Sequence, residues 1–348
     1  MVAVGYLVSV MCQPIVGRYS EGRDPGKLLA SGIIVVSLSI VSFVFATGFV
    51  SLLASVVLLR VGSSFFHPVG ISAVSRTYNG PKLQKAMGFQ SSFGNFGVLL
   101  VFLSAAPLYL SLGWKSTFLV FAAWTIADVV ITLLALRTSP SAGPSRADHS
   151  SSNLGRSGRL TVPVFFVAVA FISGGSYAVI LNFANIFLGT RAHLGVSESN
   201  LVVSAFIAAA FFGALSTGVW TRFLKSGINL SLSFLAASGT LAVFTIFSSN
   251  VLVGIVALLA NGFAISATYP LTYTELSDHV GTGGQEVGRS FGVLSSAQTV
   301  GASVMGFASG YVSQLLGLDF SFGAVSALML VGFVSGLVWV RRRRPKGL

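Results

Sequence analysis

Residues Leu58 to Gly70 read LLRVGSSFFHPVG, inside an apolar run that extends from about Phe49 to Tyr78. Arg60 falls roughly 16 Å along a helix through that run, near the middle of a ~30 Å hydrocarbon core. A charge at that depth is costly and normally faces a bundle interior or a watery cavity. Arg60, Ser63, Ser64 and His67 are spaced i, i+3, i+4, i+7 and so share one face of a continuous helix. That polar face, set among Val, Leu and Phe, is expected to line a solute pathway. The competing reading is that Arg60 and His67 only tie helices together through carbonyls and hydroxyls.

Working outward, the composition sets the class. Hydrophobic residues make up 53% of the 348-residue chain and charged residues only 9%, against about 25% charged in a soluble domain. The chain reads as an all-α, multi-pass membrane protein. Its 39 glycines suit helices packed through small residues. Apolar runs predict eleven spans, near 1–16, 28–47, 50–76, 85–110, 116–137, 160–189, 200–221, 230–248, 251–275, 289–313 and 320–340. Cys12 is the one cysteine, which excludes an internal disulfide and a Cys-based metal site. No basic n-region precedes the first apolar run, so no cleavable signal peptide is expected.

The net charge of +12 invites a nucleic-acid reading, but its distribution favours a membrane topology signal. With the 17–27 loop inside, all Lys and Arg fall inside except Lys115 and Arg191 outside and Arg60 within the membrane. The expected topology is N-terminus outside and C-terminus cytoplasmic, in the cell membrane, with the basic loops touching anionic lipid. Residues 138–159, rich in Ser, Gly and Arg, read as a cytoplasmic linker between bundles at 1–137 and 160–340, and 341–348 as a basic tail.

The two halves resemble each other. Gly88-Phe89-Gln90-Ser91-Ser92 aligns with Gly292-Val293-Leu294-Ser295-Ser296 at an offset of 204. The same offset pairs Gly97 with Gly301, Leu112-Gly113 with Leu316-Gly317, and Phe118 with Phe322; Gly17 pairs with Gly218 at 201. Equal orientation of both copies makes this a parallel repeat. The counterpart of the 160–189 helix would precede Met1, so the first half is expected to lack its opening helix, through a late start or a truncation.

Two six-helix bundles joined by a basic loop resemble the major facilitator superfamily. Its loop between the second and third helices carries a Gly, an Asp four residues on, then basic residues. GRYSEGRDPGK supplies Gly17, with Glu21 where the Asp stands, and Arg23 and Lys27; Asp24 and Pro25 depart from the commonest form. The resemblance implies a cytoplasmic gating loop, built on a charge-assisted contact to a helix end that can break and reform. GSSFFHPVG, with Phe93-Gly94-Asn95-Phe96-Gly97 on the next helix, is similar to the fosmidomycin-resistance-type drug exporters. The Gly-Pro pair of proton-antiporting drug exporters is absent from that helix, which has Leu99-Leu100 and then Pro107.

Along the pathway, His67 suits proton coupling because an unperturbed imidazole titrates near pH 6.5. Asp128 is a carboxylate near the middle of its span and a proton-carrier candidate, or else an interhelical partner. Ser173-Gly174-Gly175-Ser176 opens a segment that continues to Tyr177, Asn182 and Asn185; the paired glycines are expected to loosen the helix around a ligand. Asn261, Tyr269 and Tyr273 on the 251–275 helix, together with the repeat-related Gln90, Ser91, Asn95 and Gln298, complete the candidates for cavity lining. There is no phosphate-binding loop, zinc spacing or Ser-His-Asp arrangement, so no enzyme, cofactor or metal is expected. The reading is a monomeric secondary transporter moving a small organic solute by alternating access, with protons as coupling ion and efflux as direction. An importer of an organic anion or sugar, and a truncated non-transporting receptor, stay open as alternatives.

Overall fold

Proline placement shapes the first bundle. Pro68 has no N–H for the carbonyl of Ser64, and its ring crowds that turn, so the expected 50–76 helix is broken there. The computed structural model, which describes residues 2–78, 80–138, 162–223, 227–280 and 287–343, shows helix α3 at Phe49–Ser63 and α4 at Phe66–Thr77. The other helices are α1 (Val2–Tyr19), α2 (Pro25–Val44), α5 (Gly80–Thr138), α6 (Val164–Arg191), α7 (Val196–Phe223), α8 (Gly227–Phe247), α9 (Val251–Val280), α10 (Val287–Leu316) and α11 (Leu318–Arg343). No strand occurs among the described residues. The 138–159 linker, apart from the last residue of α5, and most of the 341–348 tail lie outside the described residues.

α5 is two spans end to end. Gly113 interrupts it at φ 76°, ψ 169°, a conformation that glycine adopts without a Cβ clash. This break separates the runs expected at 85–110 and 116–137. Its repeat counterpart, Gly317 between α10 and α11, also has positive φ, 89°. With α3 and α4 counted as one kinked span, every one of the eleven apolar runs is helical. Eight described segments are long and apolar enough to cross a membrane.

The chain forms two compact units. One comprises Met1–Thr77, Ala105–Pro163 and Ser277–Ser296; the other comprises Tyr78–Ser104, Val164–Leu276 and Ala297–Leu348. The start of α10 belongs to the first unit because α1 holds it. A Cβ at Gly17 would overlap the Gly288 carbonyl, one at Gly292 would lie 2.8 Å from the Gln13 carbonyl, and Ser296 Oγ donates to the Val10 carbonyl at 3.1 Å. Pro14 explains that last bond: lacking an N–H, it leaves the Val10 carbonyl open. The second unit repeats the contact between α5 and α7. A Cβ at Gly88 would lie 2.7 Å from the Ala214 carbonyl, and Ser92 Oγ donates to the Phe211 carbonyl at 3.0 Å. Each residue in the second set is the repeat counterpart of one in the first. The offsets read from the sequence therefore hold at the level of single hydrogen bonds.

In the second unit α6 seats on α10. A Cβ on Gly301 would overlap the Phe171 carbonyl, and one on Gly174 would overlap Gln298. Gly97, the counterpart of Gly301, has open space around the same position. Overpacking a close helix contact costs about 1–3 kcal/mol, whereas Gly→Ala in an open helix interior gains about 0.5–1 kcal/mol. Gly301→Ala should therefore lower the thermal midpoint of the 348-residue protein in detergent, and Gly97→Ala should leave it unchanged or raise it. Equal effects of the two substitutions would contradict the packing described.

Candidate functional site

Three groups of polar side chains come from the structure. The first surrounds Arg60 at the end of α3. Its guanidinium carbon lies 4.3 Å from the centre of the Tyr6 ring of α1, a cation–π contact. Its Nε is buried without a hydrogen-bond partner. Among the described residues no carboxylate lies within ion-pair distance of it; the ion pair found there joins Arg191 to Asp319. The carbonyl of Arg60 accepts from the hydroxyls of both Ser63 (3.2 Å) and Ser64 (2.6 Å). Ser64 is fully buried and Ser63 half-buried. His67 lies beyond the break, half-buried on α4 and edge-on to the Phe66 ring at 5.3 Å. The shared face expected of Arg60 and His67 is thus divided between two helices.

The second group lies within the second unit. Asn95 of α5 donates from Nδ2 to Ser266 Oγ of α9 at 2.7 Å and to the Ala210 carbonyl of α7 at 3.3 Å. Its Oδ1 accepts from the Tyr177 hydroxyl of α6 at 3.2 Å. Four helices meet at one amide, and Tyr177 also stacks on Phe206 at 5.8 Å. Gln90 lies about one and a half turns away on α5 with Oε1 buried and unpartnered, and Ser91 is half-buried beside it. Gln298 is half-buried and packs on Gly174. Gly174 and Gly175 do not loosen α6: both stay helical, and Gly175 faces Gly301 and Met305. Asn182 is exposed and donates to the Ala178 carbonyl of its own helix; Asn185 is half-buried with Oδ1 unpartnered. Asn261 is fully buried and donates to the Ser238 carbonyl at 2.7 Å, an interhelical tie. Tyr273 is buried, with its ring 4.5 Å from that of half-buried Tyr269. Asp128 is exposed on the second part of α5. Sequence reading did not single out Tyr6, Ser92 or Ser296 as site residues. For the two serines the repeat alignment already held the signal.

The third group is the loop after α1. Glu21 accepts the backbone N–H of Arg289 near the start of α10, with Arg76, Arg18 and Arg289 as nearby charges. Gly17 and Gly288 allow the two backbones to meet beneath it. Arg23 lies over the Tyr19 ring at 3.7 Å and donates to the Tyr19 carbonyl at 2.7 Å. Asp24 and Pro25, which depart from the commonest form, build the start of α2. Asp24 Oδ1 accepts from the backbone N–H groups of Gly26 (2.9 Å) and Lys27 (3.4 Å), and Pro25 takes the first helical position. The Lys27 side chain is exposed.

The glycine-bearing loop held against a helix end, and two units that repeat one helix contact, agree with the sequence profile of the Major Facilitator Superfamily, which matches residues 1–285 and again 166–348. The chain belongs to the Major Facilitator Superfamily. Within it, the chain is 25% identical over 345 residues to the uncharacterized MFS-type transporter YfnC of Bacillus subtilis, covering 95% of this chain and 81% of that protein. It is 27% identical over 143 residues to the vesicular acetylcholine transporter of Rattus norvegicus, spanning 27% of that protein. The fold is that of the human organic anion transporter MFSD10 (TM-score 0.79, 15% identity, 96% of this chain and 82% of that one). It is equally that of the E. coli fucose:proton symporter (TM-score 0.78, 14% identity, 96% and 89%).

Burial pushes the Glu21 carboxyl above its ordinary value, and the Arg289 N–H and the three arginine charges pull it only part of the way back. A raised folded pKa means the folded protein holds this proton more tightly than the unfolded chain does. Its stabilising contribution is present at low pH and is lost as pH rises through the raised value. Between about pH 4 and pH 7, wild type should therefore lose more thermal midpoint than Glu21→Gln, whose amide keeps the Arg289 contact without titrating. Identical slopes in the two proteins would refute this placement of Glu21.

Proposed function

We propose that the protein is a secondary active transporter that moves a small anionic or polar organic solute by alternating access, with proton-coupled efflux as its mode. The observation that carries this reading is Arg60, a guanidinium within a membrane span that faces an aromatic ring and no carboxylate among the described residues. Arg60 is half-buried with its Nε buried and unpartnered; a charge held inside a membrane span without an ionic partner is unfavourable, and a passing anion would relieve it. His67 on the next helix is the proton carrier in this scheme, and the Asn95–Tyr177–Ser266 node supplies neutral hydrogen-bond groups. The bundles are residues 1–137 and 160–340. The Glu21 loop is the cytoplasmic gate, the N-terminus lies outside and the working unit is a monomer in the cell membrane. Within the superfamily we place the chain beside the fosmidomycin-resistance-type exporters.

The test is flux in proteoliposomes under an imposed pH gradient, with a panel of labelled organic anions. A hydrogen bond to a charged group contributes about 1.5–3 kcal/mol. Arg60→Ala should therefore lower flux at sub-saturating solute about 10- to 100-fold, while Arg60→Lys, which keeps charge but not the planar fork, retains part of it. Wild-type flux in Arg60→Ala would remove the reading. Accumulation driven in the direction of proton entry would replace efflux by import of the same solute class.

A further inference from the structure

The ion pair between Arg191 and Asp319 plays no part in the transport scheme. It stands at one end of the second unit, where α6 and α8 finish and α9 and α11 begin. Arg191, the last residue of α6, donates from Nη1 to Asp319 Oδ2 at 2.7 Å and from Nη2 to the Ile246 carbonyl of α8 at 2.8 Å. Asp319 lies in the first turn of α11. The two bonds leave three of the five N–H groups of the guanidinium uncommitted among the described residues. The side chain is 44% exposed, so those groups are open to a ligand.

Arg191 also lines a cavity of about 380 Å³ between the ends of α6 and α8 and the start of α9, a volume that holds a small organic group. One wall is apolar, built from Phe187 and Leu188 of α6 and Val251 and Ile255 of α9. The other is polar and comes from the connection between α8 and α9. Most of that connection is satisfied within itself. Ser248 Oγ donates to the Asn250 carbonyl at 2.8 Å, and Asn250 Oδ1 accepts from the N–H groups of Leu252 (2.9 Å) and Val253 (3.3 Å). With those amides capped, the positive pole of the cavity is the guanidinium and not the helix end. Ser249, exposed at the rim, has a hydroxyl with no partner among the described residues.

The position of the cavity indicates its ligand. The apolar spans Val164–Arg191 and Gly227–Phe247 end at it, and Val251–His279 begins at it. It therefore lies where hydrocarbon gives way to lipid headgroups. At the same ends of α8 and α9, Phe244, Phe247, Leu252 and Val256 are exposed and offer apolar surface to acyl chains. A guanidinium with free N–H groups matches phosphate oxygens. Asp319 already offsets part of its charge, so a singly charged phosphodiester fits better than a doubly charged monoester.

We propose that this cavity binds one phospholipid, whose phosphodiester accepts hydrogen bonds from Arg191 and Ser249 and whose glycerol and first acyl carbons lie on the wall of Phe187, Val251 and Ile255. The site is independent of the solute pathway, and its occupancy does not depend on the transporter reading.

The experiment titrates delipidated protein in detergent with dioctanoyl phosphatidylglycerol and reads bound lipid by native mass spectrometry. Dioctanoylglycerol, which has the chains without the phosphate, and glycerophosphoglycerol, which has the phosphate without the chains, are the controls. The expected result is one saturable adduct with the phospholipid and binding at least about 10-fold weaker with either control. Gly254→Leu fills the cavity and leaves the bonds of Arg191 in place, since a Cβ at Gly254 meets nothing closer than the Thr245 carbonyl at 3.5 Å. Arg191→Gln combined with Asp319→Asn removes both charges together and leaves neither unpaired. Each variant should weaken phospholipid binding by about 10-fold or more, and thermal midpoints without lipid identify which variants are folded. Wild-type affinity in either folded variant overturns the proposal. Equal affinity for dioctanoylglycerol overturns the role of the phosphate, and equal affinity for glycerophosphoglycerol replaces the lipid with a water-soluble phosphodiester.

Discussion

Backbone meeting backbone at glycine is the constraint on which this structure depends. Lipid gives apolar helices no hydrophobic reason to associate, so close approach, dispersion and interhelical hydrogen bonds must hold them. At Gly17 and Gly288 the main chains approach until neither position can carry a Cβ, and a hydroxyl at Ser296 donates to a carbonyl that Pro14 has left open. The same arrangement recurs at Gly88 with Ser92. Both contacts join a helix of the first half of the sequence to one of the second.

Much of this was legible in the sequence. Apolar run length located eleven helical runs, because hydrocarbon thickness fixes how many residues a span needs, and eight described segments are long and apolar enough to cross a membrane. The repeat was legible because its residues do physical work at each copy: Gly113 and Gly317 both supply positive-φ breaks, and Ser92 and Ser296 both bond a facing carbonyl. Other features could not be read. Spacing placed Arg60 and His67 on one face, but Pro68 acts one turn back and ends the helix at Ser64 before that face is complete. Gly174-Gly175 reads as a pair that loosens its helix around a ligand, yet a glycine pair that admits a neighbouring helix has the same sequence as one that admits a solute. Asn261 and Asn95 were indistinguishable on the page. One ties α9 to α8, while the other gathers four helices, a difference set by which carbonyls and hydroxyls the tertiary packing brings near.

The polar inventory divides by what satisfies it. Ser63, Ser64 and Asn182 are occupied by their own helices, Asn261 by a neighbour, and Asn95 by three partners at once. Arg60 stands apart, with an aromatic ring for company and a buried Nε that donates to nothing. Glu21 is the converse case: a carboxylate partly withdrawn from water, held by one N–H and a surround of arginines. It is a titratable carboxyl beside the contact between α1 and α10.

The measurement that bears most directly on the account is whether that contact must open during turnover. Cysteines at Ser20 and Arg289, on a Cys12→Ser background, can be bridged by a short cleavable thiol cross-linker in proteoliposomes. The account predicts that the bridge stops solute flux and that reductive cleavage restores it. Undiminished flux in the fully bridged protein would contradict it.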